Sequence, residues 1–484
     1  MRNEKVGSRN VSKRCIVILL SLVTSSLLLH AENVDEDFEG FDDASTNSAT
    51  VVSKNPVHGE QSNDDMDGFD DTSTSSTSDT ATEPESEPAE VIPGLTGKLT
   101  EQVAFSYNGN KPHDNFTSLK SSLFLDYEHK FENGWRFKTN ANAYYDAIYD
   151  IRNDVYSRDE LKEQRSEVEL FDAYVEGSLA ENIDLKIGRQ VVVWGRSDTI
   201  RITDVLNPLD NRRPAMVDIE DLRLPTTMAK FDFFLGDWRV TPIAILEQRF
   251  SKLPAFGSAF NPQPNPQIAT VNYHDVTYAL SVGAEFSGWD VNFYAARLRD
   301  DAGYVKFPTT PTMRPTLTHD KVTMFGAALN VLSGSWLVKT ELAYFNGLKY
   351  STTQERTFSR TDALVGVEYN GIADTMISYD FSVRHFNTYD ARLHNELFLP
   401  DKNTYQHAFR VTSDFINATL HANYLLSLYG TKLNKGGFQR AWVKYDIADA
   451  ISTNIGVVDY IGGSKLFNTI KNNDMMFADI SYSF

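Results

Sequence analysis

Trp135-Arg136-Phe137-Lys138-Thr139-Asn140-Ala141-Asn142-Ala143-Tyr144-Tyr145-Asp146 sorts its side chains by parity. The odd positions carry Trp, Phe, Thr, Ala, Ala and Tyr, and the even ones Arg, Lys, Asn, Asn, Tyr and Asp. In an extended strand a two-residue period puts each set on its own face. One face is apolar and the other polar, as for a strand between lipid and an aqueous lumen. From Trp336 the pattern returns, with Val338, Thr340, Leu342 and Tyr344 against Lys339 and Glu341. A soluble sandwich also alternates, so alternation alone does not decide.

The flanking turns do. Glu132-Asn133-Gly134, Gly236-Asp237, Ser287-Gly288 and Leu332-Ser333-Gly334 read as tight hairpin connections. Each is followed at once, or after one residue, by tryptophan: Trp135, Trp238, Trp289 and Trp336. Indoles repeated at one end of successive hairpins form the aromatic girdle of a membrane barrel, seated at the headgroup level. They are expected on the periplasmic side. The opposite connections are long and polar, over 148–165, 194–225, 250–274, 300–320, 348–359, 387–403 and 462–473. Short turns at one end and long loops at the other match periplasmic turns and extracellular loops. Met476, Ala478, Ile480, Tyr482 and Phe484 alternate to the last residue. That ending, above all Ile480, Tyr482 and Phe484, looks like the signal by which barrel-assembly machinery recognises its clients.

Strand centres fall near 103, 125, 141, 173, 188, 231, 244, 281, 294, 326, 341, 365, 380, 409, 424, 442, 456 and 479. The expected fold is therefore all-β, a transmembrane antiparallel barrel of about eighteen strands, an even number as both termini at one end require. The count drops to sixteen if the first strand and the short connection 431–436 are misread.

The 484 residues carry a net charge of -20, unevenly spread. Residues 32–92 hold 18 acidic residues against Lys54 alone, and residues 1–31 carry +4, so residues 93–484 carry only -7. Arg2, Lys5, Arg9, Lys13 and Arg14 precede the apolar stretch Cys15–Leu29, which reads as an export signal over residues 1–31. No apolar run reaches the ~18 residues of a spanning helix, which excludes a polytopic inner-membrane protein. Cys15, the only cysteine, lies in this export signal, so the mature chain is expected to hold no thiol, which excludes disulfide scaffolds, Cys-ligated zinc, iron–sulfur clusters and thiol nucleophiles together.

Residues 32–92 read as a disordered acidic periplasmic tether, too polar and self-repelling to offset chain entropy by burial. Asp37-Phe38-Glu39-Gly40-Phe41-Asp42-Asp43 recurs 28 residues later as Asp65-Met66-Asp67-Gly68-Phe69-Asp70-Asp71. An aromatic between carboxylates on a disordered chain is the composition of a docking motif, the ring filling a pocket and the acids meeting a basic rim. Phe38, Phe41, Asp42, Asp43, Phe69, Asp70 and Asp71 are the docking candidates. Chance duplication of low-complexity sequence is the alternative.

The most distinctive stretch runs Gly188-Arg189-Gln190-Val191-Val192-Val193-Trp194-Gly195-Arg196 and on through Asp198, Arg201, Asp204, Asn207-Pro208-Leu209-Asp210, Arg212 and Arg213. A long loop of mixed charge can fold into the lumen and line a constriction, where fixed charges set selectivity. Alternatively its charges pair and pin it to the wall. Arg189, Arg196, Asp198, Arg201, Asp204, Asp210, Arg212 and Arg213 are the candidates under the first reading.

Gly188-Arg189-Gln190, Trp194-Gly195 and Asn207-Pro208-Leu209-Asp210, with the preceding Ala173-Tyr174-Val175, resemble an outer-membrane barrel family catalogued as domain of unknown function thirteen-oh-two. Gly-Arg-Gln on a strand also resembles general porins and alginate-export-like barrels. The resemblance covers the barrel and leaves out the tether. It implies an outer-membrane component of a lipid or hydrophobic-molecule pathway, working with an RND-type exporter that the tether would reach from the periplasm. A general or anion-selective diffusion porin and a surface adhesin or receptor are the competing readings.

No enzyme, cofactor or metal is expected. The barrel-region histidines are scattered, and no Gly-x-Ser-x-Gly elbow or phosphate-cradling glycine loop is present. His385 and His407, on adjacent expected strands, read as lumen polar residues. An acidic chain is also a poor nucleic-acid binder. Outer-membrane lipid is the expected surrounding.

Overall fold

A computed structural model describes residues 92–108, 115–308, 314–396 and 401–484. The export signal, and the tether's docking candidates Phe38, Phe41, Asp42, Asp43, Phe69, Asp70 and Asp71, lie outside the described residues.

The first strands are β1 (Leu95–Ser106), β2 (Asn115–Lys130), β3 (Arg136–Asp146), β4 (Ser166–Ala180), β5 (Ile183–Gln190), β6 (Thr226–Leu235) and β7 (Trp238–Ile245). Then come β8 (Ala269–Thr270), β9 (Thr277–Phe286), β10 (Trp289–Arg299), β11 (Tyr304–Lys306), β12 (Thr316–Thr318), β13 (Lys321–Ser333) and β14 (Trp336–Leu348). The last are β15 (Phe358–Ile372), β16 (Thr375–Phe386), β17 (Asn403–Phe415), β18 (Leu420–Tyr429), β19 (Gly437–Ala448), β20 (Ile451–Ile461) and β21 (Met475–Ser483). Eighteen of them form one antiparallel sheet that closes on itself where β1 meets β21, Lys98 opposite Ser483 and Ser106 opposite Met475. The short β8, β11 and β12 make a separate small sheet within the long connections. Every expected strand centre falls within a barrel strand.

Closure follows from the pattern. On β3 the even face carries Asn140 and Asp146, both buried, while the odd face carries Tyr145, exposed to the outside. On β14 Lys339, Glu341 and Ala343 are buried, and Trp336, Leu342 and Tyr344 are exposed. Large apolar side chains exposed on the outer face, such as Val168, Phe325 and Ile455, suit a hydrocarbon surrounding and not water. A closed sheet also leaves no unpaired edge in that surrounding.

Leu95, the C-terminus and the turns 131–135, 236–237, 287–288, 334–335, 373–374 and 449–450 share one end, because β1 starts there and pairs with the end of β2. Trp238, Trp289 and Trp336 open their strands at this end and face outward. Trp135 immediately precedes β3 and covers Gly177 of β4. Trp289 stacks on Phe286 at 4.3 Å, and Trp336 meets Tyr369 at 4.5 Å.

The long connections at the other end carry helices that the periodicity did not show. α1 (Ile148–Ile151) and α2 (Arg158–Gln164) lie between β3 and β4. α3 (Ile219–Leu222) precedes β6, and α4 (Lys465–Ile470) precedes β21. The β5–β6 connection starts at residue 191, earlier than expected: Val191-Val192-Val193 has strand composition but leaves the sheet.

His385 and His407 need correction. His385 shares its face with the exposed Tyr379, opposite the buried Asp380 and Ser382. His407 bonds Tyr379 Oη through Nδ1 at 2.7 Å, and His385 bonds Asn403 at 2.6 Å. Both therefore point outward, and in register His407 faces Phe381 while His385 faces Asn403, so the two do not meet. Parity within β16 decides this, and the expectation had not fixed the strand's phase.

Candidate functional site

Residues 191–225 fold into the lumen, and the motif residues make that possible. At the base, Asn207 Oδ1 accepts from Val192 N at 2.8 Å, and Asn207 Nδ2 donates to Leu224 O at 3.0 Å and Gln190 O at 3.3 Å. One buried amide thus ties the outgoing limb to the returning one. Gln190 Nε2 donates to Met228 O on β6. Asp204, also buried, accepts from Arg201 Nε at 3.0 Å and Arg223 Nε at 2.9 Å.

The descending limb is fixed to the wall chiefly by the carboxylates of Glu341 and Asp380. Glu341 of β14 is 4% exposed and accepts from Arg196 N at 2.6 Å, Ser197 N at 3.0 Å, and Thr203 N and Oγ1 at 3.1 and 2.7 Å. Gly195 makes room for it: its φ is +97°, and a Cβ there would lie 2.9 Å from Glu341 Oε2. Asp380 of β16 accepts from Ser197 Oγ and Thr199 Oγ1 at 2.7 and 2.5 Å. Arg196 pairs with Asp290 of β10. Asp198 pairs at 3.1 Å with Lys339 of β14, which also meets Glu368. Trp194 stacks on Tyr294 at 4.6 Å. Trp194, Ile200, Ile202 and Leu206 bury their side chains against Met228, Ile243, Met324 and Phe345, all inward-facing.

The returning limb crosses to other strands. Arg212 pairs with Asp210 and with Glu167 of β4 at 2.6 Å. Arg213 pairs with Asp146 at the end of β3 and donates to Tyr149 Oη, both at 3.2 Å. Burial opposes ionisation of Asp210, but Arg212 and Lys252 outweigh it and hold the carboxyl below its ordinary value. Tyr460 of β20 donates to Pro214 O at 2.5 Å. Asp218 then meets Arg410 of β17 and Arg440 of β19. The loop therefore reaches from β10–β16 to β17–β20, touching both sides of the lumen.

Every charged candidate has an opposite charge beside it. Arg196, Asp198, Arg201, Asp204, Asp210, Arg212 and Arg213 sit on the lumen loop, and the loop is also pinned through them. Arg189 stands apart, at the end of β5, between Glu169 and Glu247 at 3.4 and 3.6 Å. The wall partners Asp380, Asp290, Arg410 and Arg440 were not singled out from the sequence, and Glu341 was read only as part of a polar strand face. The available signal was a charge on the inward face of a strand, but the partner of each is set by a loop that sequence spacing does not place.

The family model described as "Protein of unknown function (DUF1302)" matches residues 15–484. The chain belongs to this family. No curated protein matches the sequence. Among solved structures, the chain is similar to OccAB3 of Acinetobacter baumannii at 13% identity and a TM-score of 0.49, over 81% of this chain and 98% of that one. It is similar to the outer membrane protein OpdK of Pseudomonas aeruginosa at 9% identity and a TM-score of 0.48, again over 81% and 98%. OccK8 (OprE) of the same organism gives 10%, 0.47, 81% and 97%. The DUF1302 chain folds as a closed antiparallel barrel of eighteen strands.

Proposed function

We propose that this barrel is a passive outer-membrane channel for small water-borne solutes, its cross-section narrowed by residues 191–225. The observation that carries the reading is the division of the lumen wall. The loop covers the apolar half with its own Trp194, Ile200, Ile202 and Leu206. Beyond it, a second apolar patch gathers Trp442, Val458 and Phe477, and between the two the inward side chains include the polar, partly buried Lys98, Thr100, Lys138, Asn142, Thr412 and Asn423. Such a wall suits hydrated solutes and offers no continuous track for a lipid tail. The lipid pathway with an RND-type partner rests on the family resemblance and the tether, and finds no support in the lumen lining.

The test is a variant with residues 195–222 replaced by a short Gly-Ser linker, reconstituted in planar bilayers. Single-channel conductance should rise severalfold while the barrel keeps its heat-modifiable migration on gels. A folded barrel that conducts neither with nor without the loop would overturn the channel reading in favour of a receptor or adhesin.

A further inference from the structure

Most lumen cations of the wall have an acid on their own or a neighbouring strand. Lys138 meets Asp126 at 3.7 Å, Lys186 meets Glu176 at 3.3 Å, Lys230 meets Asp232 at 2.9 Å and Lys339 meets Glu368 at 2.9 Å. Arg410 and Arg440 break the rule. Arg410 of β17 lies opposite Leu425 of β18, which lies opposite Arg440 of β19, which lies opposite Val458 of β20. Two guanidinium groups thus stand at one level of the wall with a leucine between them, their backbones two strand spacings, about 10 Å, apart. Among the described residues neither makes a direct ion pair with a wall carboxylate, although Asp479 of β21 acts on Arg440 from further off, as Glu220 and Asp221 of the loop act on Arg410 and Arg440. Their shared acid is Asp218 from the loop, which gives one oxygen to each at 3.2 Å.

This coverage is incomplete. Nε of Arg410 and Nε of Arg440 are both buried without a hydrogen-bond partner among the described residues. A buried charged donor left unmatched is costly, and more so beside a second guanidinium. The floor of the pair is apolar as well. The Arg440 guanidinium lies 3.9 Å from the Trp442 ring centre and 5.7 Å from that of Phe477. Met216 of the loop, Val458 and Phe477 belong to the same buried cluster, with Leu425 packed against it.

From this juxtaposition we infer that Arg410 and Arg440 form a binding site for organic carboxylates with an apolar body, which Asp218 occupies as a tethered competitor. The occupant in place sets the head-group chemistry: one carboxylate bridging two arginines, as guanidinium forks favour. Trp442, Phe477 and Leu425 set the rest, an aromatic or short aliphatic body lying along the wall. A ligand carboxylate, free to turn, offers both oxygens to the N–H groups that Asp218 leaves unmatched. The inference deepens the channel reading by naming its solute class, while binding itself needs no conduction.

Equilibrium dialysis of the full chain in uncharged detergent, with radiolabelled benzoate as probe and benzamide as the neutral competitor, tests it. Asp218→Asn removes the competitor's charge with little change of shape and should tighten benzoate binding roughly tenfold, since hydrogen bonds to charged groups are the strong ones. Arg410→Gln with Arg440→Gln should weaken binding at least tenfold relative to Asp218→Asn, and benzamide should not displace benzoate. In bilayers, benzoate should reduce the current through Asp218→Asn at lower concentration than in the parent. If Asp218→Asn does not bind more tightly, or if benzamide competes as well as benzoate does, Asp218 is a structural pin and the site is absent. Intact binding in a barrel that does not conduct would remove the channel reading and leave the site standing.

Discussion

At the scale of the residue, the loop depends on Glu341. Its four acceptor contacts need a carboxylate, because both oxygens face N–H or O–H donors and none of the partners can accept a hydrogen in return except Thr203 Oγ1. Glu341→Gln keeps the size and turns an amide NH2 toward backbone N–H groups. The expected cost is about 2–3 kcal/mol, drawn from the charged hydrogen bonds that are lost. It should fall on the loop alone, since β14 retains its ladder with β13 and β15. Hydrogen exchange of residues 195–204 should accelerate and channel conductance should rise, with the barrel's thermal transition little changed. Unaltered exchange in that segment would show that the other wall contacts suffice. Gly195→Ala should act in the same direction, because its φ of +97° disfavours a side chain and the added Cβ crowds Glu341. Trp194-Gly195 and Asn207 stood out in the sequence as a motif, but their purpose did not. A glycine that makes room for a glutamate 146 positions later leaves no local trace of that partner.

At the scale of the element, strands and turns were legible because each carries its signal within ten or so residues. Parity, turn glycines and the following tryptophan specified β3, β7, β10 and β14 without tertiary information. Loop structure was not legible for the opposite reason: the short hairpin of β11 and β12 is joined to β8 by a pairing between residues 47 positions apart, Thr316 opposite Ala269, where no periodicity exists. The same region shows what such packing does to ionisation. His319 stacks on Phe250 at 3.5 Å, its backbone N–H donates to Tyr273 Oη, and its Nδ1 bonds Asp300 O at 2.8 Å. Burial holds its imidazole below the ordinary value, and the nearby Arg299 acts in the same sense against Asp301. A depressed histidine contributes stability that is present above about pH 6.5 and is lost as the pH falls through the folded-state value, because the detached loop takes up the proton first. Asp300 works in the opposite sense. Burial raises its carboxyl to about 6, so its contribution is lost as the pH rises through that value. Subtracting His319→Gln isolates the histidine. Intrinsic-rate-corrected exchange of residues 300–308 and 314–320 should increase from pH 7.5 to 5 in the parent more than in His319→Gln. Equal responses would mean that the imidazole stays uncharged throughout.

At the scale of the whole molecule, both ends of the barrel meet at the turn end. Phe484 N donates to Gly97 O at 2.9 Å, Gly97 N donates to Phe484 O at 2.7 Å, and the Phe484 ring lies over Gly97 where a Cβ would clash. Deleting Phe484 removes both hydrogen bonds at the start of the closing seam as well as the terminal aromatic. Folded, heat-modifiable protein in the outer membrane should fall several-fold, measured by gel shift and fractionation, and undiminished yield would show that Ile480 and Tyr482 suffice. The seam also fixes where the preceding chain joins, because Leu95 begins β1 at this same end. If residues 32–92 are a tether and the turn end faces the periplasm, a periplasmic partner would be the setting the two Gly-Phe-Asp-Asp copies need. If residues 32–92 were only a spacer, any polar sequence of that length would serve. If they dock, Phe41 and Phe69 should dominate, because a buried ring contributes about 2–3 kcal/mol while an exposed carboxylate contributes well under 1 kcal/mol. Two copies on one chain make the second contact intramolecular, which raises avidity toward an oligomeric partner. Phe41→Ala with Phe69→Ala leaves every charge in place. Capture of a periplasmic or inner-membrane partner by the full-length protein should fall more than tenfold in the double variant and less in either single one, with barrel abundance unchanged. Capture that depends on the acidic residues and ignores both rings would make the contact electrostatic and the repeat incidental.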